Sequence, residues 1–516
     1  MNKRAALKNK IMQQIKYFFI ILFCVIITLA NAQQDTAVYH EQYRPQIHFS
    51  PKAHWMNDPN GMVYNDGIYH LFFQYYPGAS VWGPMHWGHA TSTDLVHWEE
   101  QPIALYPDSL GYIFSGSAVL DKNNTSGFGK NGIAPLVAIY TNHDTAGERA
   151  GRKDYQTQSI AYSLDNGKTW TKYAHNPVVK NPGIVDFRDP KVSWNEVAKK
   201  WIMTLATKDR ITFFSSPDLK NWTKESEFGE KLGAHGGVWE CPDLFPLDYN
   251  GQKVWVLIVN INPGGPNGGS ATQYFTGGFD GHTFTPDDTT TKWLDYGPDE
   301  YAGITWSNTG DRKIFLGWMS NWEYANVVPT EKWRSATTVP RELGIKKINN
   351  QFLVTSQPVK ELNAIAKPIS TLTNVKATDY TVTNSSKLST PYRLSLTTDA
   401  VKDFSITFSN ENGEQLIVGF DKAANQYYID RTKAGESSFK QSFAAKAVAP
   451  RFAQNNQLGL TLIIDAASVE LFADGGLTTM TAIFFPKDLL NQIHVQSPEG
   501  LVLKTLQLSS MQSIWK

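Results

Sequence analysis

From about residue 45 to 350 the chain alternates short apolar runs with clusters of turn residues: "MVYNDGIYHLFFQYY", "PLVAIYT", "QSIAYSLD", "KWIMTLAT", "ITFFSSP", "KVWVLIVNI" and "KIFLGWM". The runs are rich in β-branched and aromatic residues and carry little apolar periodicity at helical spacing, so they predict strands. A loose repeat runs through them. The segments "STDLVHW", "SLDNGKTW", "SPDLKNW" and "GFDGHTF" align as a turn followed by an aromatic residue and recur roughly every 50 to 70 residues, each placed to form the outer hairpin of one unit. Dividing the region by that spacing gives about five units of four strands each, the pattern of a five-bladed β-propeller. A β-sandwich with long loops is the competing arrangement. Near "VPRELGIKKINNQFLVTSQPVKEL" the character changes: Trp nearly disappears and alternating strands such as "YRLSLTT", "QYYIDRT" and "GLTLIIDAASVELFADGG" follow. These predict a C-terminal antiparallel β-sandwich whose role is to brace the first domain. The expected fold is therefore all-β, with a propeller over 40–350 and a sandwich over 360–516.

Composition changes the picture in two ways. With 516 residues the chain is long for one core and comfortable for two, and its 48 basic and 48 acidic residues cancel, which gives no electrostatic case for nucleic acid or an anionic membrane surface as a partner. Aromatic residues reach 13%, with 16 Trp and 22 Tyr, and flat amphipathic rings suit the apolar faces of sugars. At the front, Lys3, Arg4, Lys8, Lys10 and Lys16 precede the apolar run "YFFIILFCVIITLA" and then "ANAQ". This pattern predicts a signal peptide over 1–32, cleaved after Ala32, and a secreted or periplasmic protein without a membrane span once the signal is gone. The bulky Phe23 before Cys24 argues against lipidation there. Removal of the signal leaves Cys241 as the sole cysteine, so no intrachain disulfide can form.

Three acidic residues sit in unusual settings: Asp58 in "WMNDPNG", Asp189 in "VDFRDPKV" and Glu240 in "GVWECPDLFP". Each has a proline within two residues and an aromatic before it. The innermost strands of a propeller face one channel, so carboxylates far apart in sequence can converge there. Retaining hydrolysis of a glycosidic bond needs one carboxylic acid for the leaving oxygen and one carboxylate as nucleophile, about 5 Å apart. On this reasoning Asp58 is the nucleophile and Glu240 the acid/base, kept protonated by its ionised neighbours Asp58 and Asp189, while Arg188 keeps the adjacent Asp189 charged. A thiol nucleophile at Cys241 with His235 as its base is the weaker reading, because buried thiols are commonly inert. The twelve histidines form no metal-binding pattern, His86 and His89 included. "NPGGPNGGS", 262–270, lacks the residues of a phosphate loop and reads as a flexible loop at the channel rim.

The motifs "WMNDPNG", "FRDP" and "WECPDLF", together with "FQYYP", "WGPMHWGHATSTDLVHW", "FSGS", "GWMSNWEYANVVPTEKWRSATTVPREL" and "SVELFADGG", resemble in order and spacing those of glycoside hydrolase family 32, the β-fructofuranosidases. The resemblance covers essentially the whole mature chain. It implies the same propeller and sandwich, and retaining hydrolysis of β-fructofuranosyl bonds with no cofactor or metal. Carried over by motif, it implies Asp58 as nucleophile, Glu240 as acid/base, and Asp189 with Arg188 as the pair that binds fructosyl hydroxyls and steadies the transition state. Asn57, Gln74 and Ser115 match hydroxyl-binding positions. Trp55, Trp82 and Phe114 would wall the pocket, with Tyr301 and Trp318 as further members. The expected activity is exo-acting release of fructose from levan- or inulin-type fructans, with sucrose cleavage on the side. An endo-levanase or an invertase is the alternative within the family, and a transfructosylase or a catalytically inactive fructan-binding protein the alternative outside it.

Overall fold

The computed structural model describes residues 38–383 and 388–515, so the expected signal peptide lies outside the described residues. Within the N-terminal unit, 1–44, the described residues form turns, with the Arg44 guanidinium forked onto Glu41 at 2.8 and 2.9 Å. The rest of the fold lies in 45–516.

Five sheets, antiparallel but for one pairing, follow one another between His54 and Pro358. Their innermost strands are His54–Asn65, Tyr112–Leu120, Phe187–Asn195, Val238–Tyr249 and Tyr301–Thr305, each packed on the next. This is the five-bladed propeller. The ring closes where Trp333–Arg334 pairs in parallel with His54 and Trp55, so the first sheet takes a strand from the far end of the ring. Neighbouring blades are also tied by hydrogen bonds. Ser117 Oγ donates to the Pro190 carbonyl at 2.9 Å, and Asp243 Oδ2 accepts from both the amide and the hydroxyl of Thr305 at 2.7 Å. Buried apolar residues between blades, such as Val119, Val137, Ile139, Val192 and Met203, supply the cohesion.

The repeat found in the sequence falls on one place in four blades, the turn between the third and fourth strands. Its aspartate makes the turn: Asp94, Asp165, Asp218 and Asp280 each accept from backbone amides two to four residues further on. A carboxylate that mimics a backbone acceptor fixes the turn locally. The fifth blade replaces this device with Asn349 and Asn350, both at positive φ, between the strands Arg341–Ile348 and Gln351–Pro358. That is the geometry of a two-residue hairpin with the twist strands prefer.

After a 3₁₀ turn, Lys360–Ile365, two six-stranded sheets form the sandwich. Alternation places Tyr392, Leu394 and Leu396 of one sheet and Phe404, Ile406 and Phe408 of the other in a common core. The strands Ser468–Ala473 and Thr478–Ile483 are buried on both faces because their outer face lies against the fifth blade. There Arg341, with no exposed surface, donates to Asp295 at 2.8 Å and to Glu470 at 3.0 Å. His48 lies between Asp465 and Glu470 at 2.8 and 2.9 Å. The glycine-rich stretch 262–270, expected to be a flexible rim loop, is instead fastened to the sandwich. Asn267 exchanges hydrogen bonds with both backbone groups of Val448, at 2.9 and 3.0 Å.

Candidate active site

Every innermost strand carries a break in its pairing register at the same level. The breaks fall between Met56 and Pro59, Ile113 and Gly116, Arg188 and Lys191, Glu240 and Asp243, and Tyr301 and Ile304. A bulge bends the strand and re-aims the side chains at the break. Asp58, Ser115, Asp189 and Cys241 sit inside these bulges, while Glu240 and Tyr301 sit at their edges. Asp189 and Cys241 adopt φ of +64° and +40°, values that non-glycine residues rarely take and that the surrounding strands enforce.

The bulges line a cavity of about 220 Å³ at one end of the channel, bounded by Asn57, Asp58, Gln74, Ser115, Arg188, Asp189 and Glu240 among others. Asp58 is held at both oxygens: Asn57 Nδ2 donates to Oδ1 at 2.8 Å and Ser115 Oγ to Oδ2 at 2.7 Å. Asn57 is in turn fixed by the Trp55 indole, which donates to Oδ1 at 2.7 Å. The Cys241 thiol bridges two carboxylates, 3.5 Å from Asp58 and 3.6 Å from Asp189, and the Cys241 amide donates to Asp189 at 2.9 Å. Burial and the nearby charges of Asp189 and Asp58 push that thiol far up, so it is an un-ionised donor, not a nucleophile. His235 contacts the carbonyls of Gly229 and Leu232 and does not reach the thiol.

Glu240 is gripped from two sides. Arg188 donates to Oε1 at 2.8 and 3.2 Å, and the Tyr301 hydroxyl makes a short hydrogen bond to Oε2. Burial and the charge of Glu240 hold the Tyr301 phenol well above its ordinary range, so it remains a donor. The guanidinium that sequence adjacency gives to Asp189 therefore lies on Glu240 and, through its other nitrogen, on Asp186. The bulge at Asp189 separates the two neighbours. Asp189 itself is pushed up by burial, with Arg188 opposing and the charges of Glu240 and Asp58 reinforcing the shift. Gln74 is buried, and its Nε2 has no partner among the described residues, which leaves a donor for whatever enters the cavity.

The aromatic wall differs from the one the sequence suggests. Trp82 and Phe114 line the cavity, set edge to face at 6.2 Å. Trp55, Tyr301 and Trp318 are fully buried behind it and do not wall it. The third ring at the cavity is Trp322, which stacks on Trp55 at 5.8 Å and packs on Trp318 at 4.9 Å. Trp318 lies inside the strand Lys313–Met319, whereas Trp322 follows it on a turn and can reach the opening. His143, Glu148, Tyr155, Gln156 and Asp186 complete the lining; the first four carry no motif-like signal in the sequence, and Asp186 lies in "VDFRDPKV" without being singled out there. Among the described residues no group of His, Cys, Asp and Glu has the arrangement of a metal site.

Comparison with known proteins gives the same domain order. Residues 48–357 match the glycosyl hydrolases family 32 N-terminal domain and residues 356–514 the family 32 C-terminal domain. A levanase of Bacillus subtilis is 46% identical over 96% of this chain and 74% of its own length. An extracellular exo-inulinase of Aspergillus niger is 42% identical over 91% of this chain and 93% of its own. Among solved structures, the exo-inulinase of Aspergillus awamori superposes with a TM-score of 0.85 at 38% identity, covering 92% of this chain and all of that one. The β-fructofuranosidase of Schwanniomyces occidentalis complexed with fructosyl-erythritol gives 0.84 at 36%, covering 92% and 99%.

Proposed function

The chain belongs to glycosyl hydrolase family 32, and on that premise we propose that it is an exo-acting fructan β-fructosidase releasing fructose from levan- or inulin-type chains. The observation that carries the reading is the convergence of Asp58, Asp189 and Glu240, from three different blades, on one small cavity. Asp58, aimed by Asn57 and Ser115, attacks the anomeric carbon of a terminal fructosyl unit. Glu240 protonates the leaving oxygen and then takes a proton from the water that frees the sugar. Asp189 binds fructosyl hydroxyls from the side of Cys241, and Gln74 donates to another. Arg188 and Tyr301 act on Glu240, holding it in line. Small displacements of such groups cost rate heavily, which is the use of five rigid bulges.

The size of the cavity, about 220 Å³, suits a single terminal ring, which supports the exo reading. Cleavage of the signal after Ala32, export, and the division at 40–350 and 360–516 belong to the same proposal. The extracellular relatives support it, and no helix among the described residues is long and apolar enough to cross a membrane. The test is a time course of soluble products from levan and inulin, with Glu240→Ala as control. Fructose alone from the earliest time is expected, falling by three or more orders of magnitude in the variant. Early oligosaccharides would mean endo attack. Undiminished release by Glu240→Ala would remove Glu240 from its role.

A further inference from the structure

The cavity has a wall that neither the carboxylates nor the motifs account for. Asp144 caps a single helical turn, Thr145–Arg149, by accepting from the amides of Ala146 and Gly147 at 3.1 and 3.0 Å. That turn sets Glu148 at the opening, where its side chain is 50% exposed while that of Glu240, deeper in, is 18% exposed.

A chain of hydrogen bonds fixes where the Glu148 carboxylate points. The Phe187 amide donates to Gln156 Oε1 at 2.8 Å, which leaves the Gln156 amide nitrogen facing His143 Nδ1 at 3.1 Å. A nitrogen that can only donate forces His143 Nδ1 to accept, so the ring proton is on Nε2. Nε2 then donates to Glu148 Oε2 at 3.0 Å. The imidazole cannot turn away, because it stacks on Phe114 at 4.2 Å with planes 7° apart and meets Tyr155 edge on at 5.4 Å. One oxygen of Glu148 is thus occupied and aimed, and the other is open to the mouth of the cavity.

We propose that Glu148 is a specificity-determining contact, its carboxylate accepting hydrogen bonds from hydroxyls of the sugar unit on the leaving side of the scissile bond. A terminal fructosyl ring fills the closed end of the cavity, so the group at the opening meets the next unit. His143 is the positioning residue. Only the word "leaving" rests on the hydrolase reading; the contact itself requires an oligosaccharide bound with its end in the cavity.

The test is calorimetric titration with 1-kestose and, separately, with fructose, comparing Glu240→Gln with Glu240→Gln carrying Glu148→Ala. A hydrogen bond to a charged group sets the expected scale: 1-kestose binds the double variant about 10-fold more weakly, and fructose affinity is unchanged. His143→Phe, which keeps the stack on Phe114 and removes the donor, weakens 1-kestose and spares fructose. Equal weakening of both ligands, or no weakening of 1-kestose, overturns the proposal. Failure of the hydrolase reading would show separately, as wild-type protein that frees no fructose from 1-kestose. The affinity comparison needs no turnover and would still decide the role of Glu148.

Discussion

At the scale of single residues, the site is held by donors that do no chemistry of their own. Ser115→Ala removes one of three side-chain donors on Asp58 and is expected to lower kcat by about 10- to 100-fold, with KM within about 3-fold, in steady-state assays. A KM effect with unchanged kcat would mean that Ser115 binds substrate only. Cys241 gives an opposite kind of expectation. Its thiol is buried and surrounded by carboxylates, so iodoacetamide is expected to modify it at least about 10-fold more slowly than a free thiol at pH 8, followed by mass spectrometry. Sequence reasoning could bring Asp58, Asp189 and Glu240 together because proline and aromatic neighbours marked all three. It could not assign Arg188 its partner, since one bulge decides whether adjacent side chains converge or diverge. Glu148 is not singled out by anything in "NHDTAGERAGRKD", and its carboxylate acquires its direction from His143 and Gln156, which lie on two strands flanking its helical turn.

At the scale of elements, the propeller is a repeated turn device. Asp218 accepts from the amides of Lys220 and Asn221 at 2.9 and 2.8 Å, far from the cavity. Asp218→Ala is expected to lower unfolding free energy by about 1–2 kcal/mol while kcat stays within about 2-fold, measured by urea denaturation and fructose release. A comparable loss of kcat would show that the outer hairpin couples to the site. The bulged inner strands tolerate far less. A Cβ added at Gly116 would lie 2.0 Å from the Ile139 carbonyl oxygen, so Gly116→Ala must spread the first and second strands of its blade and shift the neighbouring Ser115. These outer turns were legible as a repeat because one aspartate closes each of them locally. The bulges were not, because a bulge is a property of two strands and only one is visible at a time in the sequence.

At the scale of the whole 45–516 unit, the boundary between propeller and sandwich is a buried ionic network. Burial alone would push His48 down, but Asp465 and Glu470, bonded to its two ring nitrogens, outweigh that and hold it up at about 9. A group raised in the folded state stabilises fully below its unfolded value, near 6.5, and the benefit is lost as pH climbs through 9. Stability is therefore expected to fall by about 3 kcal/mol between pH 6 and pH 10 on account of His48, and this component is expected to vanish in His48→Gln. An unchanged pH slope in the variant would remove His48 as its source. Arg341 takes part in the same network, and removing one partner of a buried pair leaves the other uncompensated. Arg341→Leu is expected to cost about 3–5 kcal/mol in the same measurement. The sequence suggests a bracing role for the sandwich from its lack of clustered functional residues, but although Arg341 and Glu470 fall inside the quoted "TTVPREL" and "SVELFADGG", nothing in the sequence shows that they meet each other and Asp295 across the boundary.

The parallel pairing of Trp333–Arg334 with His54 and Trp55 also sets an order of events. The strand that holds Asp58 emerges first from the ribosome and receives its last sheet neighbour from the far end of the ring. A chain halted between Glu240 and Trp333 therefore has all three carboxylates yet lacks the clasp beside the first of them. Contacts of such long sequence separation form late, after their loop entropy has been paid. Activity should accordingly appear only with the finished ring, so a protein passing through a membrane as an extended chain would carry no working site until it had refolded on the other side.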